Sequence, residues 1–257
     1  MFIDALQRHG IETELMSHAF EPSILDRVGP TVRDLDFTFV GIISLTSGFH
    51  RQRYSYVTTL MEATPLEMWG DIIAPANNNK ENLTSRLSAR ATRIFERLAP
   101  IMREQQSPNH GAADSLRIRL PNRFHESVFG LDNFRVLGRS RLTFNCHIDS
   151  AETSAGNARL FEATGMGTCL VTDSKKNLPQ LFTPDTEVVT YRTIEECIEK
   201  VNYLLRHETE RRDIATAGQR RTLRDHTYKR RAEQLDEIIR ALFDDRVGGS
   251  RSYALPA

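Results

Sequence analysis

Residues 145 to 173, NCHIDSAETSAGNARLFEATGMGTCLVTD, constrain the fold more than any other stretch. They read as a strand end, a polar loop, a short helix over 156–164 and a second strand, the pattern of a parallel sheet crossed by helices. In such sheets ligands sit beyond the carboxyl ends of the strands, where helix amino termini point. This crossing collects Asn145, His147, Asn157, Arg159 and Glu162, with Gly156, Gly165 and Gly167 where backbone must come close or turn tightly. Ala155, Gly156 and Asn157 are expected to present unpaired backbone N–H groups, so a diphosphate fits the helix start. Glu162, further along the helix, is placed to accept from both hydroxyls of a ribose.

Each residue also has a plainer reading. Arg159 and Glu162, three apart on one helix, can form an exposed ion pair worth under about 0.5 kcal/mol. Asn157 can be a simple helix cap, and His147 a satisfied core histidine. Their convergence on one crossing favours the functional reading.

The flanking chain continues the alternation of strands and helices. Residues 35–45, LDFTFVGIISL, are apolar on both faces from Phe39 onward, as a strand covered on both sides should be. A Ser/Gly loop follows, and then a helix marked by Tyr54, Val57, Leu60 and Met61. Arg53 falls at its start, either as a phosphate partner or as a solvated arginine. PLEMWG reads as a second strand. Leu83, Leu87, Ile94, Leu98 and Ile101 mark a long amphipathic helix, and REQQSPNHGAADS a surface loop. RIRL is expected to be a strand, Leu131, Phe134 and Leu137 the face of a helix, and LTFN another buried strand. TEVVTY (186–191) follows as a strand. Thr193 with Glu196 forms a capping box ahead of a helix with the stripe Ile194, Cys197, Ile198, Val201, Leu204 and Leu205. Further helices are expected over 207–222 and from His226, the last with Tyr228, Ala232, Leu235, Ile239 and Leu242 on one face.

The fold class expected is therefore α/β, a doubly wound, Rossmann-like parallel sheet. Residues 1–34 read as the end of an upstream domain plus a linker, 35–225 as the Rossmann-like domain that carries the phosphate-and-ribose site, and 226–257 as a carboxyl-terminal helix and loose tail. Gly10 is suited to closing the first helix in a left-handed conformation.

Composition narrows the function. With 34 basic and 34 acidic residues among 257, the balance points to no nucleic-acid or membrane-surface partner, while leaving room for local basic patches. The three cysteines, Cys146, Cys169 and Cys197, form no CxxC pair. With no signal peptide and no apolar run of eighteen residues, the reading is cytoplasmic, without a membrane span. No P-loop, nucleophile elbow or metal-ligand spacing occurs, and Gly165 and Gly167 precede a strand where a dinucleotide fingerprint should open a helix.

NARLFEATGMGTCLVTD, then LPQLFTPDTEVVTY and the late DHTYKRR, resembles the group 1 glycosyltransferases with the GT-B fold, especially the branch of the spore maturation protein CgeB. FTFVGIIS with HRQR, and VFGLDNFRVLGRSRLTFNCHID, extend the likeness over about residues 10–240. It implies a carboxyl-terminal donor-binding domain that holds a nucleotide-sugar as substrate, with no metal and no cofactor. Glu162 matches the second glutamate of the EX7E motif, which holds the ribose. Asn157 and Arg159 match the NxRxFE pattern at the diphosphate and sugar. Arg53 matches a basic position that neutralises phosphate and, with Arg159, is the catalytic candidate. Phe129 and Gly130 match the loop beside the base; Asn145, His147 and Gly156 complete the binding set.

Two departures accompany the match. Ser154 stands at the first glutamate position, with Glu152 as a substitute. The acceptor-binding half is not in the sequence, so an upstream domain or partner subunit is implied and the acceptor is unknown. A catalytically silent nucleotide-sugar-binding module is the alternative; a GT-B-like epimerase or phosphorylase is a weaker third.

Overall fold

The computed structural model describes residues 6–11, 13–46, 48–73, 116–151 and 153–248. The helix expected over 83–101, the loop REQQSPNHGAADS, Glu152 and the tail beyond 248 lie outside the described residues. Six strands form one sheet: β1 (Leu35–Val40), β3 (Leu66–Trp69), β5 (Phe124–His125), β6 (Ser140–Asn145), β7 (Cys169–Asp173) and β8 (Val189–Tyr191). Their order is β5-β3-β1-β6-β7-β8, and every pairing is parallel. A short second sheet pairs β2 (Ile43–Ser44) with β4 (Ile72–Ile73). The chain runs outward from β1 to β3 and β5, then returns to β6 on the other side of β1. The order reverses between β1 and β6, the switch point at which such sheets place a ligand crevice beyond the strand carboxyl ends.

The helices described from end to end include α1 (Ser23–Val28), α2 (Arg51–Ala63), α3 (Leu131–Arg139), α4 (Ala158–Gly165), α5 (Leu178–Leu181), α6 (Ile194–Arg206), α7 (Glu208–Asp225) and α8 (Tyr228–Gly248). Alternate strand residues feed two cores. Phe37, Phe39, Leu142, Phe144, Cys169 and Val171 pack with Val57 and Leu60 of α2 and Cys197 and Val201 of α6. Val40 and Leu170 face Leu137 of α3 and Leu160, Phe161 and Ala163 of α4. Both faces are covered, which is why these strands read as continuous apolar runs.

Several expectations are corrected. Residues 35–45 are not one strand: the chain breaks at Gly41, and β2 leaves for the second sheet. The break is set by a backbone approach, since a Cβ on Gly70 would stand 1.9 Å from the Gly41 carbonyl oxygen. Residues 116–119, which overlap RIRL, are helical, with Leu116 buried and Leu120 N–H bonded to its carbonyl. The β-rich composition of RIRL loses to this i, i+4 leucine pair. The connector over 17–33 contains α1 and ends in an anchor: Arg33 donates to the carbonyls of Leu137, Ser140, Met166 and Gly167 at 2.7–2.9 Å. The strand over 186–191 is shorter than expected, because Glu187 and Thr186 turn back onto Thr183.

Other expectations hold. Gly10 closes its helix at φ +72°. Thr193 accepts from Glu196 N–H, although the Glu196 carboxylate returns to Arg192 N–H and not to Thr193. The α8 stripe has no cover among the described residues: Tyr228, Leu235, Ile239 and Leu242 are all exposed.

Candidate functional site

The turn that leads into α4 is held by three side chains. Asn145, at the end of β6, exchanges two hydrogen bonds with Asn157: Asn157 Nδ2 donates to Asn145 Oδ1 at 2.7 Å, and Asn145 Nδ2 to Asn157 Oδ1 at 3.3 Å. Asn177 does the same for Ala155, accepting from its N–H at 2.6 Å and donating to its carbonyl at 2.9 Å. Gly156 N–H donates to His147 Nε2 at 3.3 Å. That leaves the ring proton on His147 Nδ1, which lies 2.7 Å from Asp173 Oδ1.

Two expectations change here. Ala155 and Gly156 do not offer free N–H groups to a ligand, because Asn177 and His147 already take them. Asn157 occupies the helix cap position without bonding the helix by its side chain, since its carboxamide is committed to Asn145. The amides of Ala158 and Arg159, on the first turn of α4, have no acceptor within the helix by geometry. The φ of +158° at Gly156 and the empty space where its Cβ would stand leave the backbone open to the crevice.

His147 is 2% exposed and both ring nitrogens are engaged, so it acts on the site by orienting Gly156. Burial alone would raise the Asp173 carboxyl. Hydrogen bonds from His147 and neighbouring positive charge reverse this and hold it below the usual carboxylate range. Lys175 Nζ stands 3.1 Å from its second oxygen.

Arg53 is not a solvated arginine. From the first turn of α2, its Nε and Nη2 clamp the Cys146 carbonyl at 3.0 and 2.6 Å, and Nη1 lies 3.4 Å from His50 Nε2. No carboxylate lies within ion-pair distance of it among the described residues. Burial lowers its pKa. The α2 amino terminus itself is closed by Asp149, which accepts from Arg51 N–H at 3.1 Å.

Arg159 and Glu162 do form an ion pair, at 2.9 Å, but a mostly buried one. Arg159 also donates to Asn133 Oδ1 at 3.0 Å and to the Val40 carbonyl at the end of β1 at 2.9 Å. Desolvation lowers its pKa, Glu162 opposes that, and the charge of Arg53 lowers it further. The two guanidiniums sit at the ends of neighbouring strands, Arg159 on the Val40 carbonyl of β1 and Arg53 on the Cys146 carbonyl just after β6. Beside them a cleft of about 450 Å³ is lined by Trp69, Ser127, Phe129, Gly130, Arg159 and Glu162, among others. Phe129 is 71% exposed at its rim, and Gly130 opens α3 at φ +56°.

The candidate residues therefore fall into two groups that meet at α4. Arg53, Asn145, His147, Gly156 and Asn157 shape the crevice; Arg159, Glu162, Phe129 and Gly130 line the cleft. Asn133, Asp173 and Asn177 support them and were not singled out in the sequence. An acidic residue at the carboxyl end of a buried strand is a usable signal for Asp173; nothing local marks Asn177.

A doubly wound parallel sheet with its polar groups gathered at this switch point has the Rossmann-like architecture of the GT-B glycosyltransferases. The sequence places it more closely: the model of the glycosyl transferase-like family matches residues 89–237, more than half of the chain, and the chain belongs to that family, a group 1 glycosyltransferase family. No curated protein matches the chain. Its fold is similar to that of HepE from Anabaena in complex with UDP and glucose, with a TM-score of 0.59 at 11% identity over 93% of this chain and 60% of that one. Sucrose-phosphate synthase from Thermosynechococcus elongatus gives 0.55 at 12%, over 93% and 56%. A glycosyltransferase from Rickettsia africae gives 0.57 at 10%, over 95% and 62%. The chain spans 56% to 62% of the length of these structures.

Proposed function

We propose that the chain is the donor-binding domain of a glycosyltransferase of the CgeB-like branch, which grips a nucleotide-sugar in the crevice between β1 and β6. One observation carries this reading: the partly desolvated guanidiniums of Arg53 and Arg159 sit on the Cys146 and Val40 carbonyls at the carboxyl ends of β6 and β1, Arg53 has no carboxylate within ion-pair distance among the described residues, and its charge adds a minor repulsion at Arg159. A diphosphate between them offsets the repulsion, and the first-turn amides of α4 favour the same charge. When the bond from the diphosphate oxygen to the anomeric carbon breaks, negative charge grows on that oxygen. Arg53 and Arg159 then stabilise the leaving diphosphate, with no metal ion in the step. Glu162, in the cleft beside Arg159, accepts from the ribose hydroxyls, and Phe129 and Gly130 border the base. Asn145, His147, Gly156 and Asn157 set the turn that aims α4.

HepE holds UDP and glucose, and separately UDP-glucose, on a similar fold, which supports a nucleotide-sugar as donor. The acceptor site belongs to an upstream domain or partner subunit, with residues 1–34 as its remnant and linker, 35–225 as the donor domain and 226–257 as the final helix and tail. The exposed stripe of α8 supports such a neighbour. Cytoplasmic action fits a soluble donor; no described helix is long and apolar enough to cross a membrane.

Calorimetry with UDP-, GDP- and dTDP-sugars tests the reading. One donor binds to the parent chain, and Glu162→Ala weakens it by about tenfold, as expected for loss of a charge-assisted contact. Absence of binding across the panel, or equal binding by Glu162→Ala, overturns the assignment. The silent-module alternative is favoured by Ser154 at the first glutamate position; release of free sugar from the bound donor by the chain, alone or with an acceptor-binding partner, decides against it.

A further inference from the structure

At the other end of the sheet lies a cavity of about 420 Å³, lined by Arg33, Arg141, Arg211, Arg212, Glu208 and Gln219, among others. Arg33 stands just before β1, and Arg141 is the second residue of β6, so the cavity opens at the amino-terminal strand ends. The crevice described above is at their carboxyl ends. Glu208, Arg211 and Arg212 come from the first turn and a half of α7, whose cap residue, His207, makes no side-chain bond to the helix. The leading amides of α7 have no acceptor within the helix.

The charges do not cancel locally. Arg141 is paired with Asp36, and exposed Arg212 lies 3.7 Å from Glu208. Arg33 and Arg211 have no carboxylate within ion-pair distance among the described residues. Arg33 bonds only neutral oxygens, the four carbonyls named above and Thr168 Oγ1. Arg211 is 6% exposed and donates through Nη1 to the carbonyls of Leu204 and Leu205, at 2.8 and 3.4 Å. Burial lowers the pKa of both, Arg33 to about 10; on Arg211 the Glu208 carboxylate opposes this in part and Arg141 adds like-charge repulsion. A guanidinium removed from water without a counter-charge is costly, and a bound anion offsets that cost. Four guanidiniums against Glu208 and Asp36 leave an excess that suits more than one negative charge. Arg33 spends its terminal nitrogens on the neutral oxygens named above and contributes charge, while Arg211 Nη2, the exposed Arg212 and the open helix amides are the donors that match the oxygens of a phosphate group.

We propose that this cavity is a second anion site, independent of the nucleotide-sugar crevice, which takes a small phosphate-bearing anion of diphosphate size.

Pyrophosphate is the probe, titrated by calorimetry into the full chain and three variants. Arg212→Glu reverses a charge on an exposed rim residue and is expected to weaken pyrophosphate by about tenfold or more, with Arg212→Ala intermediate. Their melting temperatures without ligand should equal that of the parent. Arg159→Ala, which alters the crevice, should leave the Arg212-sensitive pyrophosphate binding within about twofold of the parent. The proposal is overturned if pyrophosphate does not bind, or if its affinity follows Arg159→Ala and ignores both Arg212 variants. Donor-sugar binding by the Arg212 variants separates the two sites: it is retained if the crevice is sound, whatever pyrophosphate does.

Discussion

Asn145 and Asn157 are bonded to each other through both ends of their carboxamides, and this pair ties the end of β6 to the start of α4. The same Asn145 Nδ2 also donates to Thr172 Oγ1 at 2.9 Å, and its carbonyl accepts from the Tyr191 hydroxyl at 2.9 Å. The carboxyl-terminal ends of β6, β7 and β8 are therefore locked to one another, through Asn145, Thr172 and Tyr191, and to the helix that carries Arg159 and Glu162.

Asn157→Ala removes both hydrogen bonds of this exchange and leaves Asn145 Oδ1 without its 2.7 Å donor. The expected cost is about 1–3 kcal/mol of stability, the range for a buried polar group that loses its partner. Chemical denaturation measures it, and Asn157→Asp should not restore it, because a carboxylate cannot donate to Asn145 Oδ1.

Gly165 is the closing residue of α4, and a Cβ there would stand 2.4 Å from Cγ of buried Phe20. Gly165→Ala should destabilise the chain by about 1–3 kcal/mol through overpacking. Phe20→Leu in the same chain should recover part of the loss. A melting temperature for Gly165→Ala equal to that of the parent would contradict the contact.

Stability should fall on mild acidification through His226. Its Nε2 lies 2.8 Å from the Leu181 carbonyl and its Nδ1 3.1 Å from Arg231 Nη2, an arrangement that needs Nδ1 unprotonated. Burial lowers its pKa, the Leu181 carbonyl opposes this, and Arg231 and Arg221 lower it further while Asp225 raises it. The unfolded chain takes up a proton near pH 6.5 that the folded chain refuses, so the unfolded state binds more protons and stability drops as pH falls through about 6.5. Denaturation midpoints between pH 8 and 5 should show this slope, reduced in His226→Gln. His50, also lowered by burial, keeps part of it.

Much of this architecture was legible in the sequence because its signals are local. β-branched runs bounded by turns marked β1, β6 and β7, and Thr193 with Glu196 marked the start of α6. Long-range events were not legible. The break of residues 35–45 at Gly41 depends on the approach of Gly70, 29 positions later in the sequence. The helical turn at 116–119 wins over the β-rich composition of RIRL because Leu116 finds a buried place. In the site, Arg159 with Glu162 was readable from spacing and the turn chemistry of Gly156 from its type. That Ala155 and Gly156 N–H groups are already taken was not readable, since Asn177 lies on the far side of β7 and His147 reaches back from β6.

The central claim is that the crevice recognises a diphosphate through Arg53 and Arg159, and one comparison tests it most directly. The affinity of a nucleoside diphosphate is measured against that of its nucleoside, for the parent and for Arg53→Ala. Charge-assisted contacts of about 1.5–3 kcal/mol each place the diphosphate roughly 100-fold or more ahead in the parent, and Arg53→Ala should remove at least about tenfold of that gap. Equal affinity for nucleoside and diphosphate, or an undiminished gap in Arg53→Ala, would contradict the account.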